Sequence, residues 1–408
     1  MPRKARRLIG YWRAERRTLR HGLVALLLST LASFVAGVTL GAMSGTLERL
    51  PGLFILIPAS VGMRGVISGT TGARLGTSIA AGLFDVSWRR DGVLRDNATV
   101  GIVLTLVSSV YVAVLAHAAA TVFGEPTIPF LDLVTVSVIG GTIGTAIVLT
   151  ATVGLAVTSF RRGWDLDTVA TPVITAVGDM VTLPALLAAT LLVEMDTARV
   201  AISIACLGAT FAALAVAVRS GPRIRRVLVE MLAALLLVPV LDVLAGTLLE
   251  AQSARLLAFP ALLILIPPFI SQAGALGGIL SSRLSSKLAV GVITPSGRPE
   301  RPAQVDAAIV VAYAVTIFAF IGALGFGLGE LLGHASPTFL AMVGGTVLAG
   351  LIVLPILLGL GYYLAVGTTR FGLDPDNLSI PLITGVMDLT GIAAVLLAMS
   401  LSGVNLHG

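Results

Sequence analysis

The sequence predicts an all-α polytopic membrane protein: eleven transmembrane helices, forming two parallel five-helix repeats joined by one linker helix, with a pseudo-twofold axis along the membrane normal. Three observations predict this class: the hydropathy, an internal duplication, and the sidedness of Lys and Arg. The chain is 56% hydrophobic and 12% charged, with a mean hydropathy of +0.99, whereas soluble domains are about 45–50% apolar. Its single cysteine, Cys206, lies in an apolar run, so no intrachain disulfide can form. The net charge of +6 resides at the edges of apolar runs and reads as topology, so no nucleic-acid partner is expected. The lipid bilayer is the surrounding medium.

The duplication is clearest between Leu56–Phe84 and Leu265–Ile293, which overlay without a gap at an offset of 209 positions. Pro58 falls on Pro267, Gly65 on Gly274, Gly69 on Gly278, Arg74 on Arg283 and Leu75 on Leu284. Far downstream the offset persists: Pro172 to Thr175 falls on Pro381 to Thr384, and Asp179 falls on Asp388. A constant offset over such a distance marks a repeated module.

The elements follow in order. Residues 1–21 hold eight Lys/Arg and one acid and read as a basic cytoplasmic arm, with Tyr11 and Trp12 at the headgroup level. Gly22–Met43 is long enough to span, at about 20 residues, and no small-residue cleavage pattern follows the arm. Spans at about 51–83, 98–122, 130–158 and 168–193 complete a first module over 22–193. A linker helix at 198–218 lies within 194–226 and has no repeat counterpart. The second module, 227–402, holds spans at about 227–249, 258–292, 305–332, 338–366 and 378–402, and 403–408 is a tail. A five-helix module repeated directly would come out inverted, and the one extra crossing restores its orientation.

Lys and Arg test this arrangement, because cytoplasmic loops carry the excess. Of the 27, 21 fall on the side of the N-terminus; Arg49, Arg199 and Arg255 fall on the other, and Arg64, Arg74 and Arg283 lie within spans. A multi-pass protein of the plasma membrane is expected, its N-terminus cytoplasmic and its C-terminus external. Since the two repeats supply both halves of any central path, a monomer is expected.

Ionisable groups within a bilayer are costly and are functional candidates by default. Asp179 and Asp388 occupy equivalent places in the fifth helix of each repeat, each preceded one turn earlier by Thr175 or Thr384. Two carboxylates in a dry site stay ionised only around a cation. Carboxylate, hydroxyl and carbonyl oxygens suit magnesium, calcium or manganese, so these four residues are the candidate metal site, against a bland reading as helix-contact groups. The second helices carry Pro58, Gly62, Gly65 and Gly69 against Pro267, Gly274, Gly277 and Gly278, either a broken helix lining a cavity or a tight packing face. Arg74 and Arg283 either snorkel to the headgroups or pair with Asp165 and Asp167, and with Asp374 and Asp376, as a cytoplasmic mouth. Arg64 is unduplicated, Ala273 standing in its place, and would repel cations if it faced the path. Asp242 and His117, also unduplicated, read as helix-contact residues. No phosphate-binding glycine loop, CxxC or HExxH is present, so neither an enzyme nor a catalytic cofactor is expected.

The segments PASVGMRG, GARL and VGDMVTL in the first half, and PPFISQAG, SSRL and VMDLTGI in the second, resemble the MgtE-type divalent cation transporters. Two such modules in one chain are similar to their eukaryotic solute-carrier relatives. The resemblance implies transport of a divalent cation through a central path between the repeats. The cation it implies is Mg2+ as cargo, with Mn2+, Co2+ or Ca2+ as alternatives, bound at Asp179 and Asp388 with the backbone at Thr175 and Thr384 contributing. Where the family often has Gly-Asn followed by an acid or amide, this chain reads Gly65-Val66 and Gly274-Ala275, a departure that bears on ion selectivity. The magnesium-sensing domains of bacterial members have no counterpart in this sequence. Three other functions compete: a carrier of an anionic solute using Arg64, Arg74 and Arg283; an intramembrane aspartyl protease, for which Val177-Gly178-Asp179 only approaches the motif; and a non-transporting scaffold.

Overall fold

The computed structural model describes residues 16–80, 84, 92–162, 166–193, 195, 199–372 and 375–401, the side chains of a minority of these excepted. Among the described residues there are helices and no strand. In chain order they are α1 (Arg16–Ala42), α2 (Ser44–Arg49), α3 (Leu53–Ala80), α4 (Val93–Phe123), α5 (Phe130–Arg162), α6 (Leu166–Val193) and α7 (Arg199–Arg219). There follow α8 (Pro222–Glu250), α9 (Ser253–Ala258), α10 (Pro260–Ala289), α11 (Arg301–Leu331), α12 (Phe339–Phe371) and α13 (Pro375–Leu401). Eleven are long and apolar enough to cross a membrane, the number the hydropathy predicts.

The remaining two, α2 and α9, have six residues each and were not anticipated, since one and a half turns leave no periodic trace. They too stand 209 positions apart. α5 and α12, of 33 residues each, begin and end at the same offset. At 1.5 Å per residue they are about 50 Å long, well beyond a hydrocarbon core of about 30 Å, so they cross tilted or protrude. Glycines in the left-handed region stop α4 at Gly124 (φ 72°) and α12 at Gly372 (φ 65°). Thr338 caps α12 by accepting from the Ala341 amide at 3.3 Å.

The chain forms two compact units, 1–31 with 265–408, and 32–264. In the unit 32–264, α3 packs on α4, α5, α6 and α8, and the linker helix α7 lies on α4 and α5. Leu75, Phe84, Val148, Ala156 and Ile174 form one apolar core there. In the other unit α12 packs against both α11 and α13, and Phe269 of α10 stacks on Phe318 of α11 at 4.6 Å.

The first helix of each repeat docks on the second helix of the other. Pro58 lies inside α3 and has no N–H for the carbonyl of Phe54. Gly246 of α8 brings its backbone against that strip: an added Cβ would stand 2.7 Å from the Phe54 oxygen and 2.6 Å from that of Ile55. At the equivalent position of α1, Gly37 abuts the carbonyl of Ile264 in α10. Also along α1, Gln272 donates to the Ser29 hydroxyl at 3.3 Å, and Gly22 sits under the Tyr313 ring. α3 and α10 run as continuous helices through their prolines, so the break expected as one alternative is not found there.

Candidate functional site

Asp179 lies at the middle of α6, partly buried, and its Oδ2 accepts a hydrogen bond from the Ser33 hydroxyl of α1 at 2.9 Å. Asp388, in α13, is 5% exposed. Each carboxylate follows a seam where a second helix meets a fifth. In one unit, a Cβ on Gly72 of α3 would touch Ile174 at 2.7 Å. In the other, one on Gly277 of α10 would touch Ile383 at 2.5 Å, and one on Gly274 would come within 3.4 Å of the Thr384 hydroxyl.

Thr384 donates to the carbonyl of Ile380 at 3.0 Å, which leaves its oxygen lone pairs available. The glycines thus draw the fifth helix in close and hold the threonine one turn before the aspartate. Gly62 is covered by the Asp242 carboxylate, and a Cβ on Gly278 would stand 3.8 Å from Ile380, whereas Gly65 and Gly69 have open space where a side chain would begin. The glycine series therefore serves as packing face at some positions and leaves room at others.

Asp165 and Asp374 lie outside the described residues, as do the side chains of Thr175, Asp167 and Asp376. Among the described residues no three His, Cys, Asp or Glu side chains gather as a metal cage.

The two repeat-equivalent arginines find equivalent partners. Arg74 donates through Nε to Asn97 Oδ1 at 3.2 Å, and Arg283 through Nε to Asp306 Oδ1 at 3.0 Å, with Nη2 at 2.9 Å. Asn97 and Asp306 are themselves 209 positions apart. Lys287 joins the second pair at 2.5 Å from Asp306 Oδ2, so the Asp306 carboxylate, with no exposed surface, is shared by two cations. The sequence carried a signal for this, a polar residue at one offset position near the start of both third helices, which the emphasis on acidic runs passed over. Arg199 grips Asp132 of α5 through Nε and Nη2, another interhelical clamp that the sequence did not single out. His117 meets the Phe130 ring at 5.7 Å.

Arg64 is 2% exposed and turns toward α5, its Nη2 donating to the Gly140 carbonyl at 3.2 Å. The Arg64 guanidinium occupies the space a side chain at Gly144 would need.

Eleven helices long enough to cross a bilayer, a duplication carried down to six-residue helices, and repeat-equivalent intramembrane carboxylates define a polytopic membrane transporter built from a doubled module. The family model described as MgtE, divalent cation transporter, matches residues 57–189 and again residues 266–398, two segments separated by the same 209 positions. The chain belongs to this family of divalent cation transporters, and it is a transporter, not an enzyme.

Among curated proteins, it is 25% identical over 411 residues to solute carrier family 41 member 3 of Rattus norvegicus, covering 93% of this chain and 86% of that protein. It is 26% identical over 407 residues to solute carrier family 41 member 2 of Mus musculus, covering 93% and 69%. Member 2 of Homo sapiens matches at 30% over 171 residues, covering 40% and 29%. No solved structure matches the chain.

Proposed function

We propose that the cation this chain moves is Mg2+, and that Asp179 and Asp388 are the carboxylates that meet it, with Thr175 and Thr384 contributing one turn earlier. The observation that carries the proposal is the placement of both aspartates at one repeat-equivalent position inside the two segments that match the family. The partial burial of Asp179 and the near-complete burial of Asp388 support it, since a carboxylate removed from water gains most from a cation. Carboxylate and hydroxyl oxygens are hard ligands that suit Mg2+.

The membrane is the plasma membrane, with the N-terminus inside, in keeping with the basic side of the loops. One chain suffices as the transporting unit, because both repeats are in it. The acidic runs Asp165/Asp167 and Asp374/Asp376, together with Arg74 and Arg283, form the cytoplasmic mouth and set its response to internal cation. Their neutralisation changes inhibition while leaving flux.

The test is a melting scan of purified protein with Mg2+, Ca2+, Mn2+ and Co2+, paired with Mg2+ flux into proteoliposomes. Wild type is stabilised most by Mg2+, and Asp179→Asn and Asp388→Asn each lose both stabilisation and flux. If both variants keep flux and metal-dependent stabilisation, the assignment is wrong.

A further inference from the structure

The linker helix α7 ends at Arg219 and α8 begins at Pro222, so only Ser220 and Gly221 separate them. The turn is tight: the Ser220 hydroxyl donates to the Val216 carbonyl at 2.6 Å, and the Arg225 amide donates to the Gly221 carbonyl at 3.1 Å as the next helix opens. Arg219, Arg223, Arg225 and Arg226 all lie at this tip, and all are exposed. Between Asp196 and Asp242 the sequence has one acid, Glu230, which accepts from Arg226 Nε at 2.8 Å. One acid against four guanidinium groups leaves the tip strongly positive.

The lengths of the helices fix its depth. α7 has 21 residues, about 31 Å at 1.5 Å per residue, which only just covers a hydrocarbon core of about 30 Å. Its far end is clamped through Arg199 to Asp132 and its near end runs straight into the turn, so the arginines are held at headgroup level. From there an apolar stripe descends along α8. Val229, Leu232 and Leu236 follow Arg225 at the spacing of one helical face, and they are 62%, 49% and 43% exposed. Arg225 and Arg226 flank the head of this stripe, and on α7 Val218, also exposed, adjoins Arg219.

A matching ligand has an acidic head and an apolar tail. Free phosphate would answer the arginines and leave the stripe bare, whereas a zwitterionic lipid would bring its own cation to a positive tip. Clustered arginines beside a spanning helix attract anionic headgroups, and guanidinium meets a phosphate through paired N–H donors.

We propose that the hairpin of α7 and α8 is a docking surface for an anionic phospholipid of the adjoining leaflet. Its phosphate lies between Arg225 and Arg226, its acyl chain runs along Val229, Leu232 and Leu236, and Arg219 and Arg223 add to the attraction. The surface belongs to the linker and so has no counterpart elsewhere in the duplicated chain.

The test melts the full-length protein in detergent while phosphatidylglycerol, phosphatidylcholine or inorganic phosphate is titrated at constant ionic strength. No divalent cation is present, so the outcome does not depend on the Mg2+ assignment. We expect a saturable rise in melting temperature with phosphatidylglycerol alone. Arg225→Gln combined with Arg226→Gln raises the half-saturating concentration about thirtyfold. Arg298→Gln combined with Arg301→Gln, at exposed arginines between α10 and α11, leaves it unchanged. An equal response to phosphatidylcholine or to inorganic phosphate, an undiminished response in the hairpin variant, or an equal loss in the second pair would each overturn the proposal.

Discussion

Arg283 donates to Asp306 at 3.0 Å across α10 and α11, and 209 positions earlier Arg74 meets Asn97 at 3.2 Å across α3 and α4. The same joint is ionic in one repeat and neutral in the other. A duplicated geometry with divergent chemistry lets each version serve as a control for the other.

Removing the shared carboxylate is expected to cost far more than removing the amide. Asp306→Ala strands Arg283 and Lys287, whose side chains are only 24% and 19% exposed, and lowers stability by about 3 kcal/mol. Asn97→Ala removes one hydrogen bond and costs about 1 kcal/mol. Denaturation of the two variants in matched detergent measures both; equal losses would show that Asp306 holds no net charge balance.

The exchanged first helices make a sharper prediction. Gly37→Ala drives a methyl into the Ile264 carbonyl, and Gly246→Ala places one 2.6 Å from that of Ile55. Backbone cannot swing aside as a side chain can, so each loses about 1–3 kcal/mol through overpacking. Gly45→Ala, with open space around it, is the control and should melt with the wild type.

Ser33 orients Asp179. Ser33→Ala removes a bond to a charged acceptor, worth about 1.5–3 kcal/mol, and so leaves the carboxylate less firmly placed. Mg2+ flux into proteoliposomes should fall in Ser33→Ala, though less than in Asp179→Asn, and undiminished flux in Ser33→Ala would remove Ser33 as the orienting group.

Outside the membrane, the Thr294 hydroxyl and amide both donate to Glu300, holding its carboxyl below the usual carboxylate range. A depressed folded pKa means that the loop between α10 and α11 gains from this contact above the unfolded midpoint, about 4.3, and loses it as pH falls through the lower folded value. In Thr294→Ala the Glu300 midpoint should rise toward the unfolded one, read by NMR titration of labelled glutamate. An unmoved midpoint would remove Thr294 as the cause.

Much of this architecture is legible in the linear chain. Hydropathy marks all eleven spans because burial in lipid demands continuous apolar runs. The duplication pairs Asp179 with Asp388, and Arg74 with Arg283, before any coordinate is known. The short helices α2 and α9 escape because six residues are too few to show a period, and Asn97 escapes as a partner because an amide near a helix start looks like any surface residue.

What the sequence by itself determined was therefore the class, the number of crossings and which residues are equivalents of one another. Only the tertiary structure decided partners: Gly37 on Ile264 of the other repeat, Arg283 on Asp306, and Arg64 turned into the space beside Gly140 and Gly144. The physical reason is that a helix's apolar character is written along the chain. The neighbour it docks on depends on close approach at a few small residues, and such fit exists only between surfaces already folded.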